Sequence, residues 1–261
     1  MFKKKRIQNS KFIQFVDGIV LNFVRLLDSI RMKKFKEQLK KWTLRVVLAF
    51  FISSISFVLL YRFVAIPFTP LMITRLFDQV AEGKPLKLKK DWEPIDNISK
   101  NLPLAVISSE DQKFLDHNGF DFDAMKKAFK DNRKGKKMKG GSTISQQVAK
   151  NVFLWQGRSY IRKGLEAYFT FLIELCWSKE RIIEVYLNVI EMGTGVYGAE
   201  AASKYYFDTS AKQLTKSQAA WIACILPCPL KYDPNHPSSY LRKRHLHTLM
   251  QMRYIRKIDF K

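Results

Sequence analysis

The chain has 261 residues, and 47% of them are hydrophobic, which excludes a disordered polypeptide and allows one large domain or two small ones. Its formal net charge is +23 at pH 7. A charge of this size predicts an anionic partner, either a polyanion such as DNA or an anionic membrane surface, and the position of the charge decides between the two.

A basic segment precedes the most apolar stretch of the chain. Residues 1–45 contain 13 Lys and Arg and only three acids, whereas residues 46–61 contain no charged residue and the apolar run continues past Arg62 to Ile66. About 20 apolar residues span the hydrocarbon core of a bilayer as a helix, and Arg62 can extend to the interface. Trp42 and Tyr61 stand where interfacial aromatic residues belong. We therefore predict a transmembrane helix over residues 42–67.

The sequence on either side of this helix predicts its topology. The basic side of a membrane helix stays in the cytoplasm, so residues 1–41 are predicted to be cytoplasmic and residues 68–261 to form an extracytoplasmic domain. The long basic segment and the lack of an A-x-A site favour an uncleaved signal-anchor over a cleaved signal peptide. Within residues 12–30, apolar residues recur near helical spacing, which indicates either an amphipathic helix on the membrane surface or a packing helix.

The predicted exterior domain is mainly α. Five prolines between residues 67 and 103 predict a connector with short extended pieces, and helical periodicity dominates from about residue 104. Amphipathic helices are predicted over residues 159–177 and 178–192, the second with Ser178 as its N-cap, and over residues 215–226, where Thr215 and Gln218 have capping-box spacing. No β-alternation of useful length is present.

A second dense basic segment lies at residues 126–141, with eight Lys and Arg opposed only by Asp131. Self-repulsion predicts a solvated loop, which is either plain surface or part of a nearby site. The three cysteines, Cys176, Cys224 and Cys228, lie in apolar runs and do not have zinc-ligand spacing, so buried free thiols are predicted, with a disulfide open for one pair.

Several chemical classes have no motif in the chain. It contains no G-x-S-x-G, no S-x-x-K, no Walker loop and no H-E-x-x-H. Four candidate metal ligands cluster without a standard spacing; they are Glu110, Asp111, Asp116 and His117. Carboxylate chemistry is therefore the class that the sequence favours.

Two glutamates are candidates for that chemistry. Glu110 follows the apolar run "LAVISS", which predicts partial burial and a raised pKa that suits a general base. If the segment around Glu110 is helical, Phe114 and His117 lie on the same helical face as Glu110. Glu166 follows Arg162 and Lys163 at i+4 and i+3, which indicates either a surface salt-bridge cluster or a phosphate-binding surface.

Five ordered segments resemble motifs of one enzyme family. They are "EDQKFLDHNGFD" at 110–121, "GGSTISQQVAKN" at 140–151, "RKGLE" at 162–166, "KERIIEVYLN" at 179–188 and "GVYGAEAASKYYF" at 195–207. This set resembles the peptidoglycan glycosyltransferases of family 51. The resemblance implies an α-rich, lysozyme-like domain with a smaller lobe facing the membrane. Because no S-x-x-K is present and the chain ends soon after the motifs, it looks like a monofunctional member without a transpeptidase domain.

The resemblance also implies a reaction at the outer face of the bacterial cytoplasmic (inner) membrane: lipid II is polymerised into glycan strands with inversion and release of undecaprenyl pyrophosphate. Glu110 matches the position of the general base, and Glu166 matches the residue that orients the donor-side cations. The matched substrate-binding positions, which include expected supports of the base, are Asp111, Phe114, His117, Gly119, Ser142, Thr143, Gln146, Gln147, Lys150, Asn151, Arg162, Lys163, Lys179, Glu184, Tyr186 and Asn188. Thr143 and Gln146 also have capping-box spacing, which indicates a structural role for part of the second motif.

The expected partners follow from this reaction. They are lipid II, the growing glycan chain and proteins of cell-wall synthesis or division. A divalent cation, Mg²⁺ or Mn²⁺, is a candidate to help neutralise the pyrophosphate, although the sequence contains no dedicated ligand set. A membrane-anchored muramidase or lytic transglycosylase is the enzymatic alternative. A nucleic-acid binder is disfavoured because residues 1–45 and 126–139 together hold 17 of the +23 charge, where topology and a loop explain it.

Overall fold

The computed structural model describes residues 2–133, 141–157 and 159–255, with the backbone alone for residues 2–31, 129, 132 and 133. The chain divides into two compact units, Met1–Phe57 and Val58–Lys261. The boundaries that the sequence predicts, after residues 41 and 67, stay predictions.

One long helix, α1, covers Phe2–Tyr61. It includes residues 42–61 of the predicted apolar helix, whereas residues 62–67 lie beyond its end, so the prediction extends six residues too far. The part Met32–Tyr61 of α1 is long and apolar enough to cross a membrane. Residues 12–30 are helical as predicted. Their side chains lie outside the described part of the structure, so the choice between a membrane-surface helix and a packing helix stays open.

The second unit is mainly α, as predicted. After the end of α1 its helices are α2 (Pro70–Ala81), α3 (Asn101–Glu110), α4 (Phe122–Arg133), α5 (Ile144–Phe153), α6 (Tyr160–Cys176), α7 (Lys179–Val189), α8 (Ala199–Phe207), α9 (Lys216–Ile225) and α10 (Ser239–Tyr254). Three short strands, β1 (Lys89–Lys90), β2 (Glu191–Gly193) and β3 (Val196–Tyr197), form a sheet in the order β1-β3-β2. Strand β3 runs parallel to β1 and antiparallel to β2.

The helices pack as two groups around one main core, and a second, small cluster of buried residues joins α9 and α10. Helix α3 packs against α9 and α10, and α5 packs against α6 and α7. The periodicity predicted for α6 and α7 is confirmed, because Phe169, Ile173, Ile182 and Leu187 are all buried in the core. Burial of such apolar faces is the main source of stability for helices of this length. The Ser178 cap of α7 is also present.

Two loop predictions are wrong in part. The predicted connector contains α2, whose first residue is Pro70 and whose N-cap, Thr69, accepts a hydrogen bond from the Met72 amide. Proline is favoured at this first helical position, where its missing N–H has no intrahelical partner to lose. The predicted basic loop is helical over residues 126–133, which belong to α4, and residues 134–140 lie outside the described part of the chain.

The prediction of free thiols is confirmed for all three cysteines, but the prediction of burial is confirmed for Cys224 alone. All three cysteines are free thiols, with Cys224 buried and Cys176 half-buried, but Cys228 is exposed. The apolar run around Cys228 ends with α9 at Ile225, and Cys228 lies in the turns that follow. An apolar neighbourhood in the sequence therefore did not guarantee burial here.

Candidate active site

Glu110 is the last residue of α3, and the chain leaves the helix directly after it. The next residue, Asp111, has φ −157° and ψ 77°, which is not helical. The expectation that Phe114 and His117 share a helical face with Glu110 is therefore wrong. The polar residues that follow the apolar half of α3 break the helix instead of extending it.

The Glu110 carboxylate is held by one residue from each of the two helix groups. Its Oε1 accepts a hydrogen bond from Arg244 Nη2 of α10 at 3.1 Å, and its Oε2 accepts one from Gln147 Nε2 of α5 at 3.2 Å. Gln147 in turn accepts a hydrogen bond at 3.1 Å from the hydroxyl of Tyr186 in α7. Both carboxylate oxygens are thus oriented by side chains on rigid helices.

Burial sets the protonation behaviour of this carboxyl group. Burial raises the pKa of Glu110 above its ordinary value, Arg244 and hydrogen bonds from Gln147 and Ser109 lower it, and Asp111 raises it, with a net rise. A base must be ionised to accept a proton. If Glu110 is the base, activity therefore falls as the pH drops through this pKa, at a higher pH than for an exposed glutamate.

Asp111 supports the loop after α3. It accepts hydrogen bonds from His117 Nε2 at 2.9 Å and from the Ile144 amide, the first of α5, at 3.0 Å. His117 Nδ1 accepts a hydrogen bond from the Gly119 amide at 3.1 Å, so its proton lies on Nε2. A carboxylate at a helix N-terminus is favoured by the helix dipole. Asp111 therefore joins the loop to α5.

Gly119 allows that loop to approach α6. Its φ is +84°, and an added Cβ would lie 2.7 Å from Thr170 Cγ2 and 2.9 Å from Glu174 Cγ. Its carbonyl oxygen accepts a hydrogen bond from Thr143 Oγ1 at 2.7 Å. Thr143 is also the N-cap of α5 in a capping box with Gln146, as its spacing predicts.

Gly119→Ala is expected to destabilise the fold by about 2–4 kcal/mol, because it combines a left-handed φ with a close contact to Thr170. Gly164→Ala is the matched control, since an added Cβ at this position in α6 meets nothing within 4 Å. The control is expected to gain about 0.5–1 kcal/mol from helix propensity. Denaturant unfolding of the full chain in detergent measures both, and equal midpoints would contradict the argument for Gly119.

A second cluster forms around Glu166, which is 3% exposed in α6. Its Oε2 accepts a hydrogen bond from Arg162 Nη1 at 3.0 Å, and its Oε1 accepts one from Lys163 Nζ. The predicted placement of all three residues on one helical face is confirmed. Lys150 of α5 lies close enough to Arg162, Lys163 and Glu166 for their charges to affect its pKa. Burial is the largest cause of the lowered pKa of Lys150, and the negative charge of Glu166 opposes this lowering. We call Lys150, Arg162, Lys163 and Glu166 the basic cluster.

Two buried donors, one within the basic cluster and one on the residue that follows Lys150, have no hydrogen-bond partner within the described residues. They are Nδ2 of Asn151, a buried residue of α5, and Nε of Arg162. A buried donor that lacks a partner costs about 1–3 kcal/mol. Such donors next to three cations suit a ligand that brings acceptor oxygens.

Helix α5 connects Glu110 with the basic cluster. Gln147 contacts Glu110, and Lys150 and Asn151 follow three and four residues later, which places all three on one face. The separation along the helix axis is roughly 4.5–6 Å. A cavity adjoins each of the two sites. The cavity beside Glu110 has a volume of about 300 Å³ and is also lined by Ser142. The cavity beside Arg162 and Lys163 has a volume of about 400 Å³.

Comparison with known proteins identifies the family. Residues 78–253 match the family model described as Transglycosylase. The chain belongs to the transglycosylase family. Proteins named biosynthetic peptidoglycan transglycosylase are similar to it over most of their length. That of Bdellovibrio bacteriovorus is 55% identical over 205 residues, which cover 78% of this chain and 82% of the relative. That of Bacteroides thetaiotaomicron is 50% identical over 221 residues, with 85% and 89% coverage.

The resemblance seen in the sequence is therefore confirmed. In this transglycosylase, three residues of the fourth motif contact protein groups rather than Glu110 or the basic cluster. Lys179 donates to the His117 carbonyl oxygen at 2.6 Å, Glu184 accepts from the Ile95 amide at 2.9 Å, and Asn188 binds the backbone of Glu93. Their assignment as substrate contacts stays a prediction.

Phe114 and Ser142 are the remaining predicted site residues. Phe114 is fully buried, with Lys179 Nζ 4.6 Å from the centre of its ring. Ser142 is exposed at the rim of the cavity beside Glu110. Among the residues that the structure describes, no three His, Cys, Asp or Glu side chains are grouped to hold a metal ion. The divalent cation stays a prediction.

The residue that the sequence did not single out is Arg244. It lies 134 residues after Glu110, to which it is hydrogen-bonded. Arg242, Lys243 and Arg244 are adjacent in "YLRKRHLH", and no spacing rule distinguishes the one that faces the carboxylate. The buried residues of α10 are Leu241, His245, Thr248 and Met252, and because two of these are polar, no hydrophobic pattern in the sequence marks the side from which Arg244 reaches Glu110.

Proposed function

We propose that this transglycosylase is a peptidoglycan glycosyltransferase that polymerises lipid II into glycan strands, with inversion at the donor's anomeric carbon. The observation that carries the proposal is that α5 contacts the half-buried Glu110 carboxylate through Gln147 and also carries Lys150 of the basic cluster. The names of the relatives support the polymer class, since each is called a biosynthetic peptidoglycan transglycosylase.

The carboxylate supplies the base for the acceptor. The acceptor sugar's 4-hydroxyl loses its proton to Glu110 as its oxygen forms a bond to the anomeric carbon of the donor. Inverting glycosidases use a carboxylate in the same way to activate a water. The cavity beside Glu110 is the proposed place for this acceptor sugar.

The basic cluster receives the leaving group. As the new bond forms, the bond from the anomeric carbon to the pyrophosphate oxygen breaks, and its electron pair leaves with undecaprenyl pyrophosphate. This leaving group needs charge neutralisation more than protonation. Lys150, Arg162 and Lys163 provide that neutralisation, and Glu166 holds Arg162 and Lys163 in position. Where a divalent cation takes part, it shares this neutralisation with the cluster.

The apolar helix gives the enzyme access to a substrate that stays in the bilayer. Met32–Tyr61 is proposed to anchor the protein in the cytoplasmic membrane, with the basic N-terminal segment inside and the catalytic domain outside. Residues 126–139, of which 134–139 lie outside the described part of the chain, are proposed to contact lipid phosphates.

The decisive experiment incubates the full chain with purified lipid II in mixed micelles, with and without a chelator. Glycan polymer and free undecaprenyl pyrophosphate are expected, and a dependence on the chelator tests the divalent cation. Absence of peptide cross-links in the polymer tests the predicted lack of a transpeptidase. Failure to polymerise lipid II, together with release of fragments from purified sacculi, would contradict the proposal and favour a lytic enzyme.

A further inference from the structure

Arg244 holds the end of α3 through two contacts. Its Nη2 donates hydrogen bonds to Glu110 Oε1 at 3.1 Å and to Ser109 Oγ at 2.9 Å. The Arg244 side chain is 24% exposed and that of Glu110 is 14% exposed, so solvent screens the pair only in part. The guanidinium therefore fixes one carboxylate oxygen together with the residue before it.

The helix that carries Arg244 is itself fixed against the core. Helix α10 packs against α3 and α9. On the same face as Arg244, Thr248 Oγ1 lies 3.4 Å from Cys224 Sγ of α9, and Gln251 Oε1 accepts a hydrogen bond from Gln112 Nε2 at 3.2 Å. The spacing of residues 244, 248 and 251 follows one side of a helix. Arg244 thus reaches Glu110 from a rigid element.

The two oxygens of Glu110 differ in their partners. Oε1 faces the guanidinium of Arg244, whereas Oε2 faces the neutral amide of Gln147. A cation disfavours protonation of the oxygen that it contacts more than a neutral donor does. Oε2 is therefore the better proton acceptor of the two.

We infer that Arg244 is the positioning residue of the general base: it holds Oε1 of Glu110 and keeps the carboxylate ionised, so that Oε2 takes the acceptor's proton. This inference rests on the proposed function. It extends the catalytic apparatus from the five motifs to the last described helix of the chain.

The charges around Glu110 give the sign of the effect. The groups that face it are Gln147 from α5, Tyr186 from α7, Cys224 from α9, Arg244 from α10, and its neighbours Ser109 and Asp111. Within the described residues, Arg244 is the cation that acts on the pKa of Glu110 and Asp111 is the anion. Loss of Arg244 therefore raises the pKa of Glu110 further, and the base is protonated over more of the pH range.

The test measures kcat and KM for lipid II polymerisation from acid to neutral pH, with the full chain in detergent. In Arg244→Gln the acidic limb of kcat is expected to move up by about 1–2 pH units, with a larger loss at low pH than at high pH. Arg244→Lys keeps the charge, so its limb moves less. Its kcat still falls, because the shorter lysine side chain does not bring its ammonium to the position that Nη2 occupies between Ser109 and Glu110. Lys243→Gln, an equal charge loss at an exposed position of α10, is expected to match the wild type.

Three outcomes would overturn the inference. They are an unmoved acidic limb in Arg244→Gln, an equal loss at every pH, and a wild-type kcat and limb in Arg244→Lys. If thermal unfolding shows that Arg244→Gln does not fold, the comparison of Arg244→Lys with the wild type tests the inference alone. Glu110→Gln separates this inference from the proposed function. If Glu110→Gln stays active, the base itself is wrong, whereas an inactive Glu110→Gln with an unmoved limb in Arg244→Gln overturns only the role of Arg244.

Discussion

Glu110→Gln is expected to lower the rate of lipid II polymerisation by about 10²–10⁴-fold, the usual contribution of a general base. The amide has nearly the shape of the carboxylate, and its carbonyl oxygen can still accept the hydrogen bond from Arg244. It cannot take the proton of a sugar hydroxyl. The loss should therefore fall on kcat, while KM for lipid II and the thermal midpoint change little.

Asp116→Asn is the matched control for this variant. Asp116 lies in the same acidic stretch, six residues after Glu110, but its side chain is exposed. It should retain wild-type activity at every pH. Near-normal polymerisation by Glu110→Gln would remove the base assignment, and comparable losses in both variants would point to a general effect of charge.

Glu166→Gln is expected to reduce polymerisation by roughly 100-fold, chiefly through a higher KM for lipid II, and to lower stability by up to about 3 kcal/mol. Glu166 is buried and contacts both Arg162 and Lys163. Loss of its charge leaves Arg162, which is 12% exposed, without a counter-ion. The cations that are proposed to receive the pyrophosphate then repel each other and lose their fixed geometry.

The pH profile of this variant separates two roles for Glu166. If Glu166 only orients the cations, Glu166→Gln keeps the basic limb of the wild-type profile at a lower rate. Disappearance of that limb would show instead that Glu166 protonates the leaving group. Glu180→Gln is the control, because Glu180 is an exposed glutamate at the start of α7.

The local parts of the site could be predicted because their spacing is set by the geometry of a helix. Arg162, Lys163 and Glu166 are three and four residues apart, so any helix brings them together. Thr143 and Gln146 have the spacing of a capping box, and the structure contains that box. In both cases the information lies within one turn of chain.

The predictions that were wrong or missing concern features that depend on where a helix begins or ends, or on contacts between residues far apart in the sequence. Phe114 and His117 were placed on the face of Glu110 because nothing local marks Asp111 as the first residue outside the helix. Helix α2 was missed because Pro70 was interpreted as a breaker, although proline at the first position of a helix is favoured. Arg244 reaches Glu110 only through the packing of α10 on α3, which no local pattern encodes.

Helix α5 carries residues of both halves of the site, so the number of residues between Gln147 and Lys150 decides how the two halves face each other. Gln147 and Lys150 belong to different halves of the proposed reaction but share one uninterrupted helix. Inserting a single residue between them would turn everything beyond it by 100°. The acceptor half and the donor half would then face different directions, even with every side chain retained. A one-residue insertion or deletion between residues 147 and 150 is therefore expected to abolish polymerisation, even though it removes no side chain of either half. Val148 and Ala149, which lie between them, are themselves fully buried in the core.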